Sequence, residues 1–597
     1  MNEAAYRSRL EQRETELKEL YMELYQNEAM YQQLLDNLHS FYARRGAELK
    51  RRDTEKGGTG WYKSEVLLGM MLYIDNFAGN LQGVREKIGY LEKANVNYIH
   101  LMPFLDTVPE RSDGGYAVAD FRKVRPDLGT MEDLEALTAA CHEKGMNVCM
   151  DFVMNHTSED HEWAKRARAG DGRYMSRYFF YADPSVPAAY EKTVPQVFPT
   201  TAPGNFTYLP EAGHWVMTTF YPYQWDLNYA NPTVFNEMMY NFLYLANRGV
   251  DVIRIDAVPY IWKQIGTSCR NLPQVHTIVR MMRLIGEIVC PSVILLGEVV
   301  MAPEYLAPYF GSVEKPECHL LYNATTMATV WHTVATQDVR LLRKQLDTVS
   351  RLPKEQVFLN YLRCHDDIGW GLDYPTLRQW GMEEVPHKQY LNDFFRGRTG
   401  SDARGELYNE DPVTGDARLC GTTASLCGLE GGDREKAIRL DLMLHAMMLF
   451  QSGIPVLYSG DEIGQTNDWD YKNDPNKVQD SRYLHRGKMP WEQAAMLENP
   501  EAPQSKIFRG LDKLERVRKS HLAFSSQADF RTFDTGSDQV LGLARSHDGQ
   551  TLLGYFNFGP AAHLFRPPFE GGVDLLTGTP CGRELLLPGY DFIWLKF

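Results

Sequence analysis

The chain is expected to be an α/β protein: a closed parallel (β/α)8 barrel with a helical N-terminal segment, two inserted loop-rich domains and a C-terminal antiparallel β domain. Three observations predict it. Eight short apolar segments recur in a strand-then-helix rhythm between residues 58 and 520, the pattern of a parallel sheet that closes on itself. Four of those segments end in charged residues, as barrel strands do at the mouth that carries a site. The texture also changes on both sides, to purely helical before Gly57-Gly58 and to strand alternation after about Ser520.

Residues 1–57 are rich in Glu, Leu, Gln and Arg. Leu10, Leu17, Leu20, Leu24, Leu34, Leu35, Leu38 and Phe41 recur there at helical spacing. Such a segment can be a dimerisation surface or a cap on its own catalytic domain, and the cap is the expectation. The barrel strands are expected at Val66–Ile74, Tyr98–Phe104, Asn147–Val153, Val250–Ala257, Ser292–Val300, His319–Asn323, Val357–Cys364 and Ile454–Ser459. Amphipathic helices such as Gly83–Lys93 and Met131–Lys144 separate them. Two connections, 157–228 and 367–432, are too long for simple barrel loops, and long loops at strand C-terminal ends are usually functional. In 521–597, Val540–Ala544, Thr551–Phe558 and Phe592–Phe597 read as strands.

Composition narrows the class. With 44% hydrophobic and 24% charged residues the chain reads as soluble and globular. Apolar runs such as Val66–Tyr73 are too short to span a bilayer, and Met1–Lys18 lacks the apolar stretch of a signal peptide. A cytoplasmic protein without membrane partner is expected. The net charge of −15 makes nucleic acid a poor partner. Nine cysteines without paired spacing, some in apolar runs (Cys149, Cys290), read as buried free thiols. The sequons at Asn155, Asn205 and Asn323 read as chance matches.

The chemistry sits at strand ends: Asp151-Phe-Val-Met-Asn155-His156, Arg254-Ile-Asp256, Gly297-Glu298 and His365-Asp366-Asp367. A carboxylate there is costly to bury unless paired, and four strands doing this together point to a catalytic mouth. Several carboxylates and no cofactor suit glycoside cleavage or transfer. A retaining enzyme needs one carboxylate as nucleophile and one carboxylic acid as acid/base, in differing environments. Arg254 and Asp256 share a strand face, so the guanidinium is expected to keep Asp256 ionised as nucleophile. The apolar run Val293–Leu296 is expected to raise the pKa of Glu298, the acid/base. Asp151 and Asn155 are of the type that holds calcium in many such enzymes, but no catalytic metal or cofactor is expected.

These segments resemble, in order, the four recurring motifs of the α-amylase superfamily. The resemblance implies Asp256 as nucleophile, Glu298 as acid/base and Asp366 as a carboxylate gripping the glucosyl ring. It also implies that His156 and His365 bond sugar hydroxyls and that Tyr116 stacks on glucose. Ser112-Asp-Gly-Gly-Tyr-Ala-Val, Gln224-Trp-Asp-Leu-Asn-Tyr, Ile261-Trp-Lys-Gln-Ile-Gly-Thr-Ser-Cys, His365-Asp-Asp-Ile-Gly-Trp and Asp480-Ser-Arg482 look like the amylosucrase and sucrose-hydrolase group. That likeness covers residues 58 to 597. It implies a sucrose donor and an α-glucan or oligosaccharide acceptor, with sucrose hydrolysis as the alternative. It further implies an Asp113–Arg482 pair closing a pocket for one glucosyl unit. Asp367 and Arg418 would line the next site, with Phe220 and Val300 as apolar walls and Gln224 and Arg254 among the binding residues. Lys388 stands on the acceptor path where polymer-forming members carry an arginine, offering a flexible point charge in place of a planar fork. Pro195 stands where they carry another basic residue and offers no donor. The two imply retained transfer to short acceptors but less polymer and more hydrolysis. Other readings are a sucrose phosphorylase, an α-glucosidase, a trehalose synthase, or a non-enzymatic transporter subunit of this fold. Either a monomer or a homodimer is compatible.

Overall fold

A computed structural model describes residues 3–301, 306–411 and 413–597. All eight expected barrel strands form: β1 Gly69–Leu72, β2 Tyr98–Leu101, β3 Asn147–Val153, β4 Val252–Asp256, β5 Ile294–Gly297, β6 Leu320–Tyr322, β7 Val357–Asn360 and β8 Ile454–Tyr458. They close in the ring order β1-β8-β7-β6-β5-β4-β3-β2 with parallel pairings. Their near-continuous apolar runs suit strands buried on both faces, between a packed interior and an outer helical layer. At the β1 seam a Cβ on Gly69 would lie 2.7 Å from both the Tyr98 and Val456 side chains, so that closure requires glycine. The expected helix Gly83–Lys93 divides at Lys87 into Leu81–Glu86 and Ile88–Lys93, whereas Met131–Glu143 is continuous and starts in a Thr130/Asp133 capping box.

The N-terminal helices α1 (Glu3–Tyr25), α2 (Glu28–Arg44) and α3 (Ala47–Lys56) lie on the protein's own barrel. Leu17, Leu34 and Leu38 are fully buried, while Leu10, Leu20, Leu24 and Leu35 pack against the core as half-buried residues. Polar contacts register the cap: Arg280 donates to both oxygens of Glu16 at 2.8 and 2.7 Å, and the Tyr21 hydroxyl donates to Asn236 at 3.0 Å.

Both insertions are built around small three-stranded antiparallel sheets. In 157–228 it comprises Phe180–Tyr181, His214–Met217 and Phe206–Leu209; in 367–432 it comprises Ile368–Gly369, Arg418–Cys420 and Glu406–Tyr408. Beyond the helix Pro503–Lys519 a five-stranded antiparallel sheet is centred on Val540–His547 and Gln550–Asn557. The nine cysteines are free thiols, seven of them buried. Asn155 and Asn205 are fully buried and Asn323 is 4% exposed, so none of the three sequons can carry a glycan in the folded chain. Among the described residues no helix is long and apolar enough to cross a membrane.

Candidate active site

Parallel register brings the charged strand ends together. Arg254 of β4 and Asp151 of β3 are register partners, and Ile255 aligns with Gly297 of β5, one residue before Glu298. The Arg254 guanidinium therefore touches three carboxylates: Asp151 and Asp256 at 2.5 Å each, and Glu298 at 2.8 Å. Asp151 has further partners in His100 Nε2, at 2.9 Å, and the Tyr116 hydroxyl, which donates at 3.1 Å. Burial pushes the Asp151 carboxyl up, but Arg254 and His100 outweigh it and hold the group below its ordinary range.

Asp256 and Glu298 fare differently. Burial, and then the charge of Glu298, push Asp256 well above the usual carboxylate range against the pull of Arg254. Burial likewise raises Glu298, opposed by Arg254. The expectation that the Arg254 guanidinium keeps Asp256 ionised is corrected in direction: one guanidinium is shared among three buried carboxylates, and burial with the neighbouring Glu298 charge outweighs its pull on Asp256. Ala257, directly after Asp256, sits in the left-handed region at φ 48° and donates its N–H to Glu298 at 3.0 Å. A non-glycine residue there stores strain that fixes the turn between the two carboxylates.

Asp366 faces cations. Arg482 and Arg486 approach its Oδ1 at 3.7 and 3.6 Å. Burial raises its carboxyl, but His365, Arg482 and Arg486 together bring it well below the ordinary range. His365 is itself pushed down to about 3 by burial, so at neutral pH the two guanidiniums supply the positive charge. Arg482 also meets Asp113 at 3.0 Å and Asp480 at 2.7 Å, and Gln224 Nε2 reaches Asp113 at 3.4 Å. Asp113 and Arg482 thus stand together as the motif comparison implied.

The remaining expected residues divide. The His365 Nε2 lies 2.7 Å from the Tyr116 hydroxyl and the two rings stack at 5.4 Å, so one face of Tyr116 is covered by His365. His156, pushed down to about 4 by burial, donates from Nε2 to the Tyr116 carbonyl at 3.1 Å and faces the Asn155 amide with Nδ1. Its ring nitrogens are both engaged by protein. Phe220 packs its ring on His156 and Tyr260 at 5.4 and 5.2 Å. Val300 is 60% exposed, at the open rim rather than within a wall. Arg418, its side chain 44% exposed, stands 3.8 Å from Asp367.

Lys388 does not reach the rim. It is 6% exposed, with its ammonium held by Glu384 at 2.8 Å and Asp416 at 2.5 Å. The sequence reading of Lys388 as an acceptor-orienting point charge is corrected, because a buried, doubly paired ammonium has no free charge to offer. Pro195 is exposed, and its carbonyl accepts from Arg270 at 3.0 Å.

Three participants were not singled out from sequence. Arg486 lies one short helical turn after Arg482, and its Nε donates to the His365 carbonyl at 2.7 Å. His100 lies within β2 and bonds Asp151 at 2.9 Å. Lys263 lies within a quoted motif; its fully buried ammonium bonds Asn155 Oδ1 and Asp226 Oδ2 at 2.8 Å each and the Tyr260 carbonyl at 2.5 Å. It occupies an oxygen cage that a cation could otherwise fill, and Asn155 is committed to it.

Comparison with known proteins fits this geometry. Residues 41–368 match the family model for the alpha amylase catalytic domain. The trehalose synthase of Thermus thermophilus is 29% identical over 85% of this chain, which spans about half (52%) of that protein. Glucosylglycerate phosphorylase of Escherichia coli (strain K12) is 27% identical, with 92% of this chain and 94% of that protein covered. Among solved structures, trehalulose synthase MutB from Pseudomonas mesoacidophila MX-45 superposes with a TM-score of 0.68 at 20% identity, covering 90% of this chain and 100% of that one. The matched catalytic domain takes in β1 to β7 and the carboxylates gathered on Arg254, and the chain belongs to the α-amylase family of glycoside hydrolases.

Proposed function

We propose that the chain is a retaining α-glucosyl-transferring enzyme whose donor is sucrose. Asp256 attacks the anomeric carbon and forms a covalent glucosyl-enzyme. Glu298 gives its proton to the departing fructosyl oxygen and then, as base, activates the acceptor, which is a sugar hydroxyl or water. The raised carboxyls of the Asp256–Glu298 pair support this reading: one member can act as acid while the other is the nucleophile, the Ala257 N–H holding Glu298 in place. Asp366, kept ionised, can grip hydroxyls of the glucosyl ring.

The observation that supports the reading is the meeting of Arg482 with Asp113 at 3.0 Å and with Asp366 at 3.7 Å, a cluster that would close the glucosyl site behind a single unit. The names of the relatives agree with one-unit chemistry, since trehalose and glucosylglycerate each hold a glucosyl group on a small partner. They also favour a second reading, in which the donor is trehalose or glucosylglycerate and the acceptor is a sugar or phosphate. The insertions 157–228 and 367–432 are then the modules that shape the acceptor side, with Arg418 and Asp367 nearest the glucosyl site.

The test is incubation of the purified protein with sucrose, trehalose or glucosylglycerate, each with and without phosphate, followed by separation of glucose, fructose, glucose 1-phosphate and polymer. Phosphate-independent fructose release from sucrose is expected. Turnover of trehalose or glucosylglycerate with sucrose untouched overturns the sucrose reading and leaves the retaining mechanism.

A further inference from the structure

Behind the Asp113–Arg482 pair the two insertions meet. The Tyr221 hydroxyl, from 157–228, lies 3.0 Å from the Tyr408 hydroxyl, from 367–432. Tyr408 is 5% exposed, and the Arg482 guanidinium lies over its ring at 5.3 Å. Tyr221 is tied in turn to the Asp113 side of the pocket: its N–H donates to Gln224 Oε1 at 3.1 Å, and Gln224 Nε2 reaches Asp113. Four separate parts of the chain therefore converge on one guanidinium. Neighbouring contacts (Thr200 to Asn409 at 2.8 Å) join the insertions again at the same seam.

We infer that Tyr408, bonded to Tyr221 across the two insertions and lying under Arg482, sets the glycone accepted by the pocket at one glucosyl unit. The inference rests on the reading that Asp256 and Glu298 cleave α-glucosides, and it adds which residue limits their length. A second unit behind the cleaved bond must displace the Arg482 head from Asp113 and Asp366. Asp480 would stay paired with the moving guanidinium, so displacement strands no buried cation. Two things oppose it: the buried Asp113 carboxylate would lose its cation, and the Tyr408 ring, 5.3 Å from the guanidinium and held by Tyr221, takes up volume into which the Arg482 head would move. The strand Glu406–Tyr408 keeps its place without the tyrosine ring, since Ser481 donates to the Leu407 carbonyl at 3.1 Å.

The experiment uses 4-nitrophenyl α-maltoside with the full chain and with Tyr408→Phe and Tyr408→Ala. A one-unit pocket releases glucose first; direct release of maltose with nitrophenol requires two units behind the cleaved bond. The initial maltose-to-glucose ratio is expected to rise about ten-fold or more in Tyr408→Ala, where volume is vacated. In Tyr408→Phe, which loses one hydrogen bond, a rise of about three-fold is expected. A ratio within each variant is independent of how much protein is folded or how fast it turns over. Unchanged ratios in both variants overturn the inference. Nitrophenyl glycosides cleaved by a protein that leaves sucrose untouched would overturn the sucrose assignment alone, and the ratio would still decide on Tyr408.

Discussion

Strand β4 is preceded directly by Asp251 and ends in Asp256, and the two aspartates keep opposite electrostatic company. At the N-terminal face, Asp251 is over-supplied with donors: Arg52 at 2.5 Å, His142 Nε2 at 2.9 Å and the Val148 N–H at 2.9 Å. Its carboxyl is raised by burial, but His142 and Arg52 hold it below the ordinary value. At the C-terminal mouth, Asp256 shares one guanidinium with two other carboxylates and is raised. One end satisfies its charges and holds the fold together. The other crowds carboxylates around too little positive charge and raises two of them, which costs stability and is what acid/base chemistry needs.

Two substitutions at the mouth break this comparison if it is wrong. Asp256→Asn is expected to abolish glucosyl-enzyme formation, a loss of more than about 1,000-fold in kcat, and Glu298→Gln to cost on the order of 100- to 10,000-fold with sucrose. Yet Asp256→Asn removes a surplus buried charge, so its melting temperature should equal or exceed that of the unaltered protein. Near-normal sucrose turnover in Asp256→Asn refutes the mechanism. A large fall in melting temperature refutes the claim that the mouth is electrostatically overloaded.

The reverse is expected at the other face. Asp251→Asn strands the Arg52 guanidinium in a buried site and should destabilise the chain by about 3–5 kcal/mol. Since no bond of Asp251 reaches the mouth, kcat of the folded fraction should stay within about two-fold. Measured together, melting temperature and kcat separate the two ends. A stable Asp251→Asn with impaired kcat would show that the faces are coupled.

Acidity sharpens the same contrast. A carboxylate with a depressed folded pKa contributes stability above its unfolded value and loses it as pH falls. Asp251, depressed from 3.8, should therefore stabilise the fold above about pH 4, and the gap between Asp251→Asn and the parent should close below that. A raised group behaves oppositely: its contribution is complete below the unfolded value and is lost as pH rises through the folded one. Asp256 and Glu298, raised from 3.8 and 4.5, should make Asp256→Asn gain on the parent as pH climbs from about 4 to neutral. Melting curves of the three proteins across that range check both signs.

Much of the mouth was legible in the sequence because strands are short and their apolar runs end where the charges begin. Asp151 within β3, Asp256 at the end of β4 and Glu298 just past β5 are brought together by parallel register, whereas Asp366 lies in the segment beyond Asn360, where β7 ends earlier than the sequence suggested. What was not legible was company. Nothing local shows that Arg52 of α3 reaches Asp251, or that the Lys263 ammonium fills the cage of Asn155 and Asp226, since those partners are separated by 199 and by more than 30 residues. Lys388 was misread for a different reason. A glutamate one helical turn earlier, Glu384, was visible in the sequence and is now its partner, a spacing that favours an ion pair over a free charge.

That correction yields the smallest expected effect, at the outer edge of the mouth. Once fructose leaves, water and sugar hydroxyls compete for the glucosyl-enzyme, and an oriented acceptor wins through its high effective concentration. Arg418 can orient one: its side chain is 44% exposed, and among the described residues its ion-pair partner is Asp367, at 3.8 Å. Lys388 cannot, because Glu384 and Asp416 already hold its ammonium. Arg418→Ala should raise free glucose relative to fructose released, by about two- to ten-fold for the loss of one or two charge-assisted hydrogen bonds. Lys388→Arg should leave that ratio and the yield of iodine-staining glucan within measurement error. The check is a product balance on sucrose, free glucose against fructose, for the three proteins side by side. A switch to abundant polymer in Lys388→Arg would show that residue 388 reaches the acceptor path after all, and an unchanged balance in Arg418→Ala would move acceptor orientation elsewhere on the rim.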